Sequence, residues 1–139
     1  MVEGVERLVL PDPRDPGRAN DLWRTTCFEA FVGGDGTAYR EYNFAPSSQW
    51  AAYAFDGHRL GMRNAEDEAE VWIEGGETWI VVEAAVSADF APGSRLNLNA
   101  VIDEAGGAKS YWALAHPAGP PDFHNRDCFV ARLPSGNVA

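Results

Sequence analysis

From Trp23 onward, apolar and polar residues alternate with a period of two. Thr25, Cys27, Glu29 and Phe31 point one way, and Phe28, Ala30 and Val32 the other. The scheme recurs after a glycine-rich GGDG segment: Tyr39, Glu41 and Asn43 share one side, and Arg40, Tyr42 and Phe44 the opposite one. Two such runs around a glycine turn predict an antiparallel hairpin in which Glu29 lies near Glu41 and Asn43. Gln49 to Phe55 and His58 to Arg63, separated by Asp56-Gly57, predict a second hairpin. Residues 71–73 and Thr78 to Val86 predict a third, with Glu74-Gly75-Gly76-Glu77 as a turn whose glycines supply positive φ. In its second strand Ile80, Val82, Ala84 and Val86 form the core side. In 95–104 the apolar Leu96, Leu98, Ala100 and Ile102 alternate with Asn97, Asn99, Val101 and Asp103. Val5 to Leu10, Lys109 to His116 and Asp127 to Leu133 complete the strands, while the proline-rich PDPRDPGRAND predicts an irregular loop. Helical periodicity is absent. The pattern predicts an all-β fold, an antiparallel β-sandwich of immunoglobulin-like or jelly-roll-like kind.

At 139 residues the chain predicts one domain, 1–139, with room for a proper core. A net charge of -10 with Lys109 as the single lysine excludes the clustered cations that nucleic acid or an anionic membrane surface requires. A neutral or cationic small ligand fits better. No apolar run is long enough for a membrane span, and MVEGVERLVL lacks the basic start and apolar stretch of a signal peptide, so a soluble cytoplasmic protein is the expectation. Cys27 and Cys128 stand too far apart for a zinc knuckle and read as two free thiols.

The segments LWRTTCFEAFVG, YREYNFAPSSQWAAYAF and LNLNAVIDEAGGAKSYWALAHP resemble the bacterial DOMON-like group related to family 9 carbohydrate-binding modules, over residues 22–133. The resemblance implies a β-sandwich with a ligand site on one sheet or at its rim, for sugars in the carbohydrate modules and for haem in some DOMON domains. Members of the group carry further N-terminal residues, which implies that one N-terminal edge strand is missing here. At motif level, Glu29 matches the acidic position of the first central strand, Glu41 and Asn43 fall in the next, and Asn99, Asp103 and Trp112 in the later pair.

A pyranose presents apolar C–H faces and a hydroxyl edge, so a ring that stacks and side chains that hydrogen-bond together recognise it. The candidate site is Glu29, Glu41, Asn43, Asn99 and Asp103, with Trp50 or Trp112 as the stacking platform. The bland alternative is the wet face of an antiparallel sheet, with the tryptophans in packing roles. No nucleophile elbow, phosphate loop or dinucleotide fingerprint occurs, so the leading reading is a non-catalytic domain binding a small polar ligand, a saccharide above others. Its rivals are a protein-interaction module using the same aromatic strip and a small glycoside hydrolase built on Glu29 and Glu41. Weaker still are a metal site at His116, Asp122 and His124, calcium at Asp21 or Asp103, and haem held by Met62 with His58, His116 or His124.

Overall fold

The computed structural model describes residues 1–134. It is an all-β sandwich. The larger sheet carries, in spatial order, β10 (Lys109–Ala113), β9 (Arg95–Asp103), β3 (Cys27–Gly33), β4 (Tyr39–Phe44), β5 (Gln49–Phe55) and β2 (Gly17–Arg18); β11 (Ala131–Arg132) adds to β9 and β6 (Arg63–Asn64) to β5. The smaller sheet runs β1 (Val2–Glu3), β8 (Trp79–Val86), β7 (Ala69–Gly75). Among the described residues no helix is long and apolar enough to cross a membrane.

The larger sheet has two covered faces. One, bearing Val32, Tyr42, Phe44, Trp50 and Ala52, packs on Val71 and Val86 of the smaller sheet and on Phe90 and Leu133. The other, bearing Phe31, Tyr39, Ala51, Tyr53 and Phe55, is roofed by Leu22, Phe123 and Phe129 from segments without strand structure. Two apolar clusters on opposite faces of one sheet give a sandwich with a third, irregular layer. The inter-sheet side is fastened by Asp67, which accepts from Arg40 Nη1 at 3.0 and 3.2 Å and from the Tyr42 hydroxyl at 2.7 Å.

The GGDG hairpin forms as the alternation predicts, pairing Glu29 with Asn43 and Phe31 with Glu41. Several other expectations change. Val5 to Leu10 is no strand: Gly4, at φ 75°, turns the chain, Val5–Arg7 coil into a 3-10 turn, and Val2–Glu3 instead pairs with β8. The third hairpin exists, from Gly75 opposite Ile80 to Ala69 opposite Val86, but neither turn glycine has positive φ. Gly76 is needed for space, because a Cβ there would strike the Trp79 indole. The return strand after Asp56-Gly57 shrinks to Arg63–Asn64. Similarly, 127–133 yields a 3-10 turn at Arg126–Cys128 and only Ala131–Arg132 as strand. Within the proline-rich loop, Gly17 and Arg18 pair in parallel with Gln49 and Trp50. Arg18 holds that pairing by donating to the carbonyls of Ala52, Ala65 and Asp67 at 2.7–3.0 Å, with its guanidinium 4.6 Å from the Trp50 ring centroid.

Lysine cannot reproduce the planar fork that reaches three carbonyls and stacks on an indole. Arg18→Lys is therefore expected to lower unfolding stability by about 1–2 kcal/mol, read as a shift in the urea midpoint without a change in slope.

Candidate functional site

Strand register places the polar residues. Glu29 sits in the middle of β3 and lies directly opposite Asn43 on β4 and Asn99 on β9. One row along, Glu41 lies between Phe31 and Tyr53. Side chains two apart share a face, so the carboxyl groups of Glu29 and Glu41 are diagonal neighbours, with Asn43 adjoining both. All four are buried: Asn43 is 0% exposed and Glu29, Glu41 and Asn99 are each 6% exposed. This is no solvated sheet face. The layer carrying Phe123 and Phe129, together with the 3-10 turn Leu22–Arg24, covers it.

Beneath that roof lies a cavity of about 530 Å³. Glu29 and Glu41 reach it, and Phe31, Tyr53, Tyr111 and Phe123 wall it with rings; Trp23, Met62 and Arg59 also line it. A second hollow, of about 650 Å³, lies between the Asp56–Leu60 turn and Arg126 and meets the first at His124.

A hydrogen-bond chain leads to the acid pair. Arg59, held at φ 56° in the left-handed region, donates its backbone N–H to the Tyr39 hydroxyl at 3.0 Å. Strain at a non-glycine residue is often found at functional sites, and here it delivers that donor. The Tyr39 oxygen lies 2.7 Å from His124 Nδ1, and His124 Nε2 faces Glu41 Oε1 at 3.4 Å. The tautomer with hydrogen on Nε2 satisfies both contacts: Tyr39 donates to Nδ1, and Nε2–H points at the carboxylate. The opposite tautomer would turn a nitrogen lone pair on Glu41.

Charge states follow from this packing. Burial raises the Glu29 carboxyl well above its ordinary range, and the charge of Glu41 and a side-chain hydrogen bond to it add to the effect. Glu41 is raised too, chiefly by burial, but Asn43, Glu29 and Arg59 favour its charged form. Asn43 does so by proximity, since neither of its amide atoms, nor those of Asn99, has a hydrogen-bond partner. Glu29 is therefore the member that holds a proton more firmly, and Glu41 the one that ionises more readily. Burial and the Arg59 charge push His124 down to about 4, so it is neutral. The Cys27 thiol, in the row beside Glu29, is raised by burial and by that neighbour.

The other sequence candidates lie elsewhere. Trp50, opposite Phe44, projects from the inter-sheet face and is packed in the core there. Trp112, opposite Ala100, also belongs to that face; it is 63% exposed and donates its Nε1–H to Ser110. Neither can stack over Glu29, because pleating sends their side chains through the other side of the sheet. Asp103 is on the acid pair's face but outside the cavity lining, where its backbone bonds Thr26. Asn97 caps the exit of β10 through Leu114 N–H and the Ala115 carbonyl. The His116–Asp122–His124 set does not converge: Asp122 binds His58 Nε2 at 2.7 Å and Arg59 at 3.0 Å, while His116 packs on Phe123. Among the described residues no three His, Cys, Asp or Glu gather as a metal site. The haem pairing does not fit either, since both nitrogens of His124 face protein partners and His58 is taken by Asp122.

Phe31 was legible as a wall residue from its parity with Glu29 on the same strand, whereas Tyr53 is set beside Glu41 only by the register of the next strand. Phe123, Arg59 and the Tyr39–His124 link come from loops and carry no periodic signal. Comparison with protein-family models, with curated proteins and with solved structures returns no match.

As the pH falls from 6.5, the unfolded chain binds a proton at His124 that the native state refuses until about 4. The stability associated with neutral His124 is present above 6.5 and lost as the pH falls to about 4, roughly 3 kcal/mol in all. Glu29 acts oppositely: its contribution is complete below about 4.5 and disappears as the pH climbs through its raised value. In urea unfolding across pH 4–6.5, His124→Gln is expected to flatten the acid-side loss of stability. Glu29→Gln is expected to steepen it.

Proposed function

We propose that this protein is a non-catalytic domain that binds a small polar ligand, a saccharide, in the cavity over Glu29 and Glu41. The observation that carries the reading is the pairing of a ring wall with a buried carboxyl floor. Tyr53, Tyr111 and Phe123 line the same cavity that Glu29 and Glu41 enter, and this division matches the apolar face and hydroxyl edge of a pyranose. The buried amides of Asn43 and Asn99 lie beside Glu29, outside the cavity lining. The resemblance to family 9 carbohydrate modules implies the same class of ligand, with Tyr111 and Phe123 taking the stacking role in place of Trp50 and Trp112.

The hydrolase reading is weaker. Glycosidases need, besides a carboxyl pair, one member exposed enough to meet a sugar carbon or a water, whereas Glu29 and Glu41 are each only 6% exposed. The interaction-module reading draws support from a different place: Leu98, Trp112 and Leu114 are each about half exposed or more, and Leu98 and Trp112 lie on the sheet face away from the cavity.

Variants on the two faces separate these readings. Tyr111→Ala and Phe123→Ala are expected to weaken monosaccharide binding by about tenfold each, the ~1.4 kcal/mol of one stacking contact, while Trp112→Ala leaves it unchanged. Isothermal titration against a panel of neutral monosaccharides measures both. A dependence on Trp112 and indifference to Tyr111 would reverse the assignment of faces.

A further inference from the structure

We propose that the ligand carries a protonated amine, and that its ammonium group docks against the Glu29–Glu41 pair while the ring wall covers the rest of the molecule. This rests on the reading of the cavity as a ligand site and names the chemistry of what enters it. A neutral hydroxyl needs one acceptor, yet the register brings two carboxyl groups together, both opening into one cavity. Two acids so close are mutually repulsive unless a proton or a cation lies between them. An ammonium has three donors and no acceptor; Glu29 and Glu41, both lining the cavity, supply carboxyl acceptors for it. The aromatic rings of Tyr111 and Phe123 in the same lining favour a cation over a neutral group.

The charges around the pair agree. Arg59 is the one guanidinium lining the cavity, and Asp122 already holds it at 3.0 Å. His124 is neutral. Asp21 adds a carboxylate to the lining, and the chain as a whole carries -10. An anionic ligand would meet the carboxyl groups of Glu29, Glu41 and Asp21, with Arg59 as the one cation in the lining.

Proton balance gives the proposal its readout. Without ligand, burial and mutual repulsion favour a shared proton on the pair. When an ammonium takes that position both carboxyls ionise, and the proton passes to solvent. The other titratable groups facing the pair stay silent: burial raises the Cys27 thiol and the Tyr39 and Tyr53 phenols, and His124 titrates only near 4. Affinity for an amine should therefore rise with pH, by up to tenfold per unit.

The test is isothermal titration of the full chain with glucosamine, N-acetylglucosamine and glucose at pH 5, 6 and 7, in two buffers of different ionisation enthalpy. Glucosamine is expected to bind at least tenfold tighter than either neutral sugar, with close to one proton released. Glu29→Gln, which keeps the shape of the protonated acid, is expected to abolish both the preference and the proton release. Equal affinity for all three sugars overturns the ammonium assignment and leaves the saccharide reading standing. So does a glucosamine preference that releases no proton or survives in Glu29→Gln. Failure of all three to bind overturns both readings together.

Discussion

Two carboxyl groups set as diagonal neighbours beneath a layer of rings oppose each other's ionisation, and much of this molecule is arranged around that constraint. Glu29 and Glu41 come from adjacent strands of the best-formed hairpin, whose pairing runs from Phe28 opposite Phe44 to Gly33 opposite Tyr39. Separating the acids would require a slip of register, and a slip of one residue would send every side chain of β3 to the opposite face. Phe31 and Tyr53 flank Glu41, and moving them would dismantle the apolar cluster on that side. The acid pair is thus held by the same contacts that hold the fold.

The roof completes the arrangement. Phe129 packs on Phe31 and Tyr39, and His124 stands edge-on to Phe31 and Phe55 with its nitrogens aimed at Tyr39 and Glu41. Arg126 ties this layer to the hairpin loop through the carbonyls of Gly34 and Ala38. A loop with little regular structure is ordered by side chains reaching into strands, and in return it covers most of the carboxyl pair's surface. Low local polarity is what makes the protonation of Glu29 and the neutrality of His124 mutually consistent.

The alternation of residues made the sandwich and the neighbourhood of Glu29, Glu41, Asn43 and Asn99 legible without coordinates, because a period of two fixes which side chains share a face. It could not reveal which face would be covered by what. The polar side looked wet because strand periodicity carries no information about the 114–130 segment, whose Phe123 and Phe129 fold back over it. The misplacement of Trp50 has a local cause. The connection Ala45–Ser48, with Ser48 at φ 79°, sets Trp50 opposite Phe44, and one residue more or less would have turned the indole through the sheet. For Trp112 the setting element is the turn with Gly106 and Gly107 at φ 104° and 98°, which brings Lys109 opposite Asp103. Parity within a strand is written in the sequence. Parity between strands depends on turn geometry.

Cys27 occupies the row next to Glu29, fully enclosed, with its thiol kept in the SH form by burial and nearby negative charge. Disulfide exchange and alkylation require the thiolate and access to it, and the native molecule supplies neither. A labelling reagent can meet this sulfur only when the central hairpin itself comes apart, so the rate of its modification would serve as a built-in clock for global opening.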